Sequence, residues 1–220
     1  MSTALFDSIK TQAKITDSVI VGFSSGKDSI VTLDLCFKYF KHVVPYFMYI
    51  VPNLSFQERT LQKYERHYNT EILRIPHFEM SDFMRYGTFR NPDPMVKIVS
   101  VAEEYDYLRL RTGIDWIAAG ERIADSIVRR AMIKKSGSID QQRGRFFPIA
   151  QWNKRDVLTY IKRNHLYMPP DSRELGFSFR SLAGAELAVM KETFPDDYQK
   201  ILKYYPLADV AVERFNRYGE

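Results

Sequence analysis

The chain has 220 residues and a mass of 25.8 kDa, enough for one domain or for one domain with an appendage. Hydrophobic residues make up 45% and charged residues 27%, which is typical of globular proteins and excludes a largely disordered or fibrous chain. The single cysteine, Cys36, excludes an internal disulfide framework and an all-cysteine metal site. The net charge of +5 favours an anionic ligand such as a nucleotide, a nucleic acid or both.

The sequence carries no membrane or export signal. No apolar run is long enough to span a bilayer, and the segment Met1–Lys14 lacks the charged and apolar regions of a secretory signal. A single cysteine also agrees with a reducing compartment. We therefore expect a soluble cytoplasmic protein that does not act at a membrane.

Strand and helix patterns alternate along the first two thirds of the chain. Short apolar runs predict strands at Ser18–Phe23, Val43–Val51, Glu71–Ile75, Ile114–Ala119 and Phe146–Ile149. Apolar residues at helical spacing predict the helices that follow, at Asp28–Phe40, Ser55–Tyr68, Val96–Arg111, Ile123–Ile133 and Lys154–Asn164. The segment Met80–Pro94 contains glycine and proline breakers, and Lys134–Arg145 is polar and basic, so both are expected to be irregular.

This alternation predicts an α/β fold, in which a parallel sheet has helices on both faces. The alternation stops near Pro169, and helical patterns at Leu182–Glu192, Asp196–Tyr204 and Ala208–Tyr218 predict a C-terminal helical extension. We therefore expect a nucleotide-binding α/β domain at residues 1–168 and the extension at residues 169–220. Ligands of such sheets bind beyond the carboxyl ends of the strands.

The clearest motif is the segment SSGKDS at residues 24–29, between the first strand and the first helix. A helix start binds anions through its free N–H groups, and small residues let the backbone approach phosphate oxygens. Hydroxyl donors, a positive charge and a carboxylate that can cap the helix or hold magnesium come from Ser24, Ser25, Ser29, Lys27 and Asp28. A Walker loop does not fit, because three residues separate Gly22 from Gly26 and an aspartate follows the lysine.

This segment resembles the SGGKDS signature of the PP-loop ATP pyrophosphatases. In that superfamily the loop wraps the pyrophosphate of ATP, and cleavage occurs at the α-phosphorus. One difference is Ser25, which stands where the first glycine usually stands. The resemblance implies that phosphate is bound by Ser24, Ser25, Gly26, Lys27 and Ser29. It also implies catalytic roles for Lys27 and Asp28 and a magnesium contact for Asp28.

A second motif, GERIADS at residues 120–126, follows the fourth predicted strand. It resembles the G-x-R-x-x-E/D-S element of the phosphoadenosine phosphosulfate (PAPS) reductase branch of that superfamily. The resemblance implies that Gly120 and Arg122 contact the nucleotide, that Arg122 is catalytic, and that Arg129 is a further contact. Arginine suits this role because its planar fork matches phosphate oxygens.

A third stretch, Phe147–Leu158, resembles the P-I-x-x-W-x-x-x-D-V-W element of the same branch. Its Trp152 is expected to be a packing residue rather than a ligand. The three matches follow the family order and cover Val19–Leu166. They imply a five-stranded parallel sheet of the adenine nucleotide alpha hydrolase type, which is Rossmann-like, with the nucleotide at the strand ends.

The sequence also departs from this branch. The reductases carry a C-terminal cysteine that attacks sulfur, but the corresponding segment Leu175–Gly184 contains none. Cys36 lies among apolar residues of a predicted helix, so we expect it to be a buried structural thiol. Asn53 stands where the second strand usually ends in aspartate, and an amide carries no charge. A thiol-dependent PAPS reductase is therefore not expected.

The resemblance thus predicts an enzyme that binds ATP and Mg²⁺, releases pyrophosphate and transfers the adenylyl group to an unknown acceptor. Two alternatives stay open: an enzyme for adenylyl sulfate or PAPS that needs a thiol-bearing partner, and a non-catalytic nucleotide-binding accessory subunit. The basic segment Arg129–Arg145 is read either as a flap over the ligand or as a solvated loop. Nucleic acid has weaker support as a partner, and a protein partner or a homodimer remains open.

Overall fold

The computed structural model describes residues 3–169, 179 and 182–219. The chain divides into two compact units. The first takes its residues from Met1–Phe47, Tyr64–Leu73 and Tyr105–Pro169, and the second from Met48–Lys63, Arg74–Glu104 and Pro170–Glu220. The domain boundary expected at residue 168 stays a prediction, and the second unit also draws on two segments that precede it.

The described residues form six strands, which are β1 (Ser18–Gly22), β2 (His42–Tyr49), β3 (Leu73–Pro76), β4 (Ile117–Ala118), β5 (Ile139–Asp140) and β6 (Arg145–Phe146). Their order in the sheet is β3-β2-β1-β4-β6-β5. Strand β1 is parallel to β2 and β4, and β4 is parallel to β6. The predicted α/β class is confirmed. The sheet has one more strand than expected, because β5 pairs antiparallel with β6 in a segment predicted to be a loop.

The helices surround this sheet. A 3₁₀ turn at Thr3–Phe6 is followed by α1 (Asp7–Gln12), α2 (Lys27–Tyr39), α3 (Ser55–Tyr68), α4 (Glu79–Tyr86), α5 (Val101–Thr112), α6 (Ile127–Ser136), α7 (Lys154–Arg163), α8 (Gly184–Thr193), α9 (Pro195–Tyr204) and α10 (Ala208–Tyr218). The C-terminal helices are thereby confirmed, whereas α4 lies in a segment predicted to be irregular. Within the described part of the chain, none of these helices has the length and hydropathy needed to cross a bilayer.

The core of the first unit lies around β1 and α2. Val19, Ile20 and Val21 are all fully buried, as expected for a β-branched strand covered on both faces. Cys36 on α2 is also fully buried, which confirms its structural character. Trp152 is 1% exposed and its indole Nε1 donates to the Leu5 carbonyl at 2.7 Å, so it is the packing residue that was predicted. This packing fixes α2 against the sheet that carries the site.

The second unit has a core of its own, centred on α8, α9 and α10. Helices α8 and α10 approach closely because Gly184 has no side chain: a Cβ there would lie 2.5 Å from the Ala211 carbonyl oxygen. The buried Asp197 accepts hydrogen bonds from the backbone N–H of Ser55 at 2.8 Å and from Lys200 Nζ at 2.8 Å. Burial would raise the pKa of Asp197, but these hydrogen bonds lower it below its usual value. The ionised carboxylate therefore caps the start of α3.

Candidate phosphate-binding site

The turn after β1 delivers the loop at residues 24–26 to the amino end of α2. One hydroxyl, that of Ser29, organises this turn. It accepts the backbone N–H of Ser24 at 3.1 Å and donates to the Gly26 carbonyl at 2.9 Å. Gly26 is the N-cap of α2 and supplies no side-chain cap, so the first-turn N–H groups are left for another acceptor. This is the geometry of an anion site at a helix start.

Ser25 adopts the backbone conformation that the family motif reserves for glycine. Its φ is +56°, in the left-handed region, and the residue is 4% exposed. The side chain turns back to donate from Oγ to the Ser24 carbonyl at 2.7 Å. The serine therefore keeps the loop shape of a glycine at a cost in backbone strain.

Three charged side chains meet at the start of α2. Asp28 Oδ2 lies 2.6 Å from Lys27 Nζ, and Asp28 Oδ1 lies 3.0 Å from Arg122 Nε. The second pair is close but not aligned for a hydrogen bond, and Arg122 Nη1 is buried with no hydrogen-bond partner among the described residues. The structure thus brings together Lys27, Asp28 and Arg122, which the sequence analysis had assigned to catalysis.

Arg122 arrives from the loop after β4, the strand beside β1. Asp125 holds it by accepting its backbone N–H at 2.9 Å and its Nη2 at 2.6 Å. Arg129 approaches the same carboxylate, with Nη1 3.3 Å from Asp125 Oδ2. Ser126 caps α6 by accepting the Arg129 N–H at 3.1 Å. Arg129 is therefore linked to the site through Asp125, and its contact with a nucleotide stays a prediction.

Gly120 lets the two loops meet. A Cβ at this position would lie 3.2 Å from the carbonyl carbon of Asp28 and 3.2 Å from Thr32 Oγ1. A side chain would therefore push the β4 loop away from α2 by a few tenths of an ångström. The sequence analysis predicted Gly120 as a nucleotide contact, and the geometry gives it a packing reason as well.

The site carries one carboxylate suited to a nucleotide-borne cation. Within the described residues, no cluster of three or more His, Cys, Asp or Glu side chains could hold a metal ion by itself. Magnesium on phosphates needs few protein ligands, often one or two carboxylates. Asp28 fits that limited demand, since its Oδ1 is buried without a hydrogen-bond partner in the described chain. The metal role of Asp28 stays a prediction.

A second cluster beside the loop escaped the sequence analysis. Tyr46 faces Gly22 across the β1–β2 pair, and its hydroxyl lies 3.0 Å from where a glycine Cβ would be. Arg145 packs its guanidinium 5.0 Å from the centre of the Tyr105 ring and donates to Glu121 Oε1 at 2.9 Å. Burial, with Tyr105 next to it, raises the pKa of the Tyr46 phenol. Arg145 was predicted to lie in an exposed basic segment, which is wrong because it stacks inside the fold.

The residues that relate the chain to sulfur chemistry are elsewhere. Burial raises the pKa of the Cys36 thiol, so this thiol stays protonated and unreactive. Most of the segment Leu175–Gly184, where the reductases place their cysteine, lies outside the described residues. Asn53 adopts a left-handed φ of +60° in the second unit, and its carbonyl accepts Lys200 Nζ at 2.7 Å.

The sheet and the loop define a parallel α/β protein with an anion-binding turn between its first strand and helix, the arrangement of a PP-loop nucleotide-binding protein. The sequence profile described as the phosphoadenosine phosphosulfate reductase domain matches residues 18–170, which is more than half of the chain. The protein belongs to this family and, with it, to the PP-loop ATP pyrophosphatase superfamily.

Individual relatives are distant. An uncharacterised protein of Methanocaldococcus jannaschii is 26% identical over 217 residues, and the match covers 89% of this chain and 43% of that protein. The chain therefore spans less than half the length of this relative. The PAPS reductase of Candida auris, determined as a phosphate complex, is 15% identical with a TM-score of 0.51 over 79% of this chain and 84% of its own. The NH3-dependent NAD synthetase of Campylobacter jejuni is 16% identical with a TM-score of 0.48 over 99% of this chain and 94% of its own.

Proposed function

We propose that the protein is an ATP-binding PP-loop enzyme that cleaves ATP at the α-phosphate and transfers the adenylyl group to an acceptor. The main support is the meeting of the loop at residues 24–29 with Arg122 at the ends of two neighbouring strands. Backbone N–H groups, one lysine and one arginine then face the same small volume. Such a set neutralises a polyphosphate better than it would any uncharged ligand.

The chemistry asks for positioning rather than covalent catalysis. An acceptor oxygen attacks the α-phosphorus, the bond from that phosphorus to the bridging oxygen of the β-phosphate breaks, and pyrophosphate leaves. The acceptor gives up its proton to solvent. Lys27 and Arg122 neutralise the charge that gathers on the phosphates, and the N–H groups at the start of α2 hold the oxygens in line. Mg²⁺ bound with the nucleotide supplies further charge neutralisation beside Asp28.

The buried donor of Arg122 agrees with this proposal. Arg122 is 5% exposed, and its Nη1 has no hydrogen-bond partner among the described residues. Buried polar atoms of native proteins are rarely left unpaired, and an unpaired one calls for an acceptor that the chain does not provide. A phosphate oxygen is an acceptor of the right charge.

A second candidate ligand follows from the family description, which names PAPS chemistry. Adenylyl sulfate and PAPS share the adenosine phosphate of ATP and differ beyond it. The only thiol of the chain, Cys36, is buried, so reduction of such a ligand requires a thiol from a partner. A non-catalytic nucleotide-binding subunit is the third reading.

The test begins with thermal unfolding in Mg-ATP, adenylyl sulfate and PAPS, followed by a pyrophosphate-release assay. Ligand at about a hundred times Kd stabilises the folded state by about 2.7 kcal/mol. We expect a shift with ATP and slow pyrophosphate release. A shift with the sulfated nucleotides alone supports the second candidate, and ATP binding without turnover in any acceptor mixture supports the third.

Two variants check that the signal comes from this site. Lys27→Gln removes a charge from the loop, whereas Lys41→Gln removes one from the exposed turn before β2. We expect Lys27→Gln to weaken ATP binding about tenfold or more, equivalent to at least ~1.4 kcal/mol, and Lys41→Gln to leave it unchanged. Equal affinities for both variants would rule out the site.

A further inference from the structure

A set of uncompensated cations lies outside the phosphate site in the first unit. We call it the basic track and define it as Arg130, Lys134, Lys154, Arg155 and Lys162. All five are exposed. They line two neighbouring hollows, one between α6 and the segment at residues 150–153, and one along α7. The hollows adjoin, since Asn153 lines the first and Lys154 lines the second.

The charges of the basic track are free in a region where other arginines are paired. Arg129, Arg143 and Arg145 each pair with a carboxylate of the first unit. No member of the basic track makes an ion pair with any carboxylate that the structure describes. The net charge of +5 is therefore expressed locally, on one surface.

The length of the basic track exceeds what one nucleotide can use. Lys154 and Lys162 are eight residues apart on α7, and a helix rises about 1.5 Å per residue, so they are separated by about 12 Å along the axis. Arg130 and Lys134 extend the charge onto a second helix. A ligand that satisfies both helices at once must repeat its negative charges along its length, as a nucleic-acid backbone does.

The surroundings favour a nucleic acid over an acidic protein. Protein interfaces are depleted of lysine and have an apolar centre. Among the described residues that line the hollows, Leu158 is the one large apolar side chain classed as exposed. Gln151 and Asn153 add exposed amide groups that suit phosphate and sugar oxygens.

We propose that the basic track binds the phosphate backbone of a nucleic acid, with single strands as the preferred form. As the binding surface for an adenylyl acceptor, this assignment rests on the proposed function; as a binding surface alone, it does not. The basic track starts next to Arg129, which shares Asp125 with Arg122 of the phosphate site. A strand bound on the basic track therefore runs beside the position proposed for the α-phosphate.

The experiment measures fluorescence anisotropy of a labelled single-stranded RNA of about 20 nucleotides, with the same sequence as DNA and as duplex for comparison. For four or five phosphate contacts, log Kobs falls against log salt with a slope of about −3. The track variant combines Arg130→Gln, Lys134→Gln and Lys154→Gln. It should bind at least about tenfold more weakly, and its slope should flatten by about 2.

The matched control removes the same charge from the other end of the sheet. Lys14, Lys41 and Arg111 are exposed and lie in the segments that enter β1, β2 and β4. Replacing all three by glutamine also lowers the net charge from +5 to +2. Binding that falls as much in this control as in the track variant would overturn the proposal, because net charge alone would then explain it.

Three further outcomes are informative. No RNA or DNA binding at low salt, or polyaspartate that competes as well as unlabelled RNA, would each overturn the assignment. Thermal shifts with Mg-ATP separate this proposal from the proposed function. Loss of RNA binding with an unchanged ATP shift in the track variant supports the basic track as a separate surface. RNA binding without any ATP shift in the wild type would refute the proposed function and leave the basic track standing.

Discussion

The left-handed conformation of Ser25 predicts an inverted stability order. At an ordinary position alanine is more stabilising than glycine, because glycine loses about 0.4–1 kcal/mol more chain entropy on folding. At φ +56° a residue with a Cβ carries a penalty of about 1–2 kcal/mol that glycine avoids. The two terms leave Ser25→Gly more stable than Ser25→Ala by about 0.5–1 kcal/mol. Both variants lose the Oγ hydrogen bond to the Ser24 carbonyl equally, so it cancels.

Urea unfolding followed by circular dichroism measures this difference. Ser136, the last residue of α6, serves as the control because it lies outside the left-handed region and its Oγ also bonds a backbone carbonyl. There alanine should exceed glycine by up to about 1 kcal/mol, as in any helix. The prediction is therefore a change of sign between two serines of one protein. A higher unfolding midpoint for Ser25→Ala than for Ser25→Gly would refute the strain argument.

Three other variants test the packing and electrostatics of the fold. Gly120→Ala overpacks the contact with α2 and should cost about 1–3 kcal/mol while weakening ATP binding, and normal binding would contradict the close approach. Asp34 is buried and accepts the hydroxyls of Tyr68 at 2.8 Å and Tyr160 at 2.6 Å, so Asp34→Asn should cost about 2 kcal/mol in urea unfolding without changing ATP affinity. Burial raises the pKa of Glu104 to about 7 from 4.5, so its stabilising contribution is present at acid pH and is lost as pH rises through 7. Glu104→Gln should therefore gain in relative melting temperature between pH 5 and pH 8, and a constant difference would count against this burial effect.

The sequence allowed the phosphate loop to be found because its chemistry is local. The segment at residues 24–29 places small residues, hydroxyls and a lysine at a helix start, and each of these is visible in the one-dimensional pattern. The partner motif at Gly120 needed the family resemblance, since β4 has only two residues and gives little strand signal. Its closeness to the loop then follows from the parallel neighbours β1 and β4.

Breakers were placed correctly and interpreted in the wrong direction. Gly87 ends α4 as its C-cap with φ +81°, so the glycine follows a helix that the sequence analysis did not predict. The start of α5 was predicted five residues too early, at Val96 instead of Val101. A reciprocal bond marks the true start, in which Ser100 Oγ accepts the Glu103 N–H and the Glu103 carboxylate accepts the Ser100 N–H. This S-x-x-E capping box was present in the sequence.

The cluster around Arg145 could not be found from the sequence. Its members come from four separate segments, and each is an ordinary residue where it stands: Tyr46, Tyr105, Glu121 and Arg145. Arg145 also closes a basic run, and a run of like charges usually faces solvent. Only the pairing of β6 with β4 carries it inward. Long-range pairing of this kind leaves no periodic signal in a single chain.

The two cations of the phosphate site are held differently, and this bears on how the site would work. Arg122 has a side chain 7% exposed and lies between two carboxylates, Asp28 and Asp125. The Lys27 side chain is 31% exposed and has Asp28 as its single ion partner. A polyphosphate can therefore draw Lys27 away from Asp28, whereas Asp125 keeps Arg122 in place. One charge is preorganised, which lowers the cost of reorganisation during reaction, and the other follows the ligand. The planar fork of arginine suits the fixed position, and the flexible point charge of lysine suits the moving one.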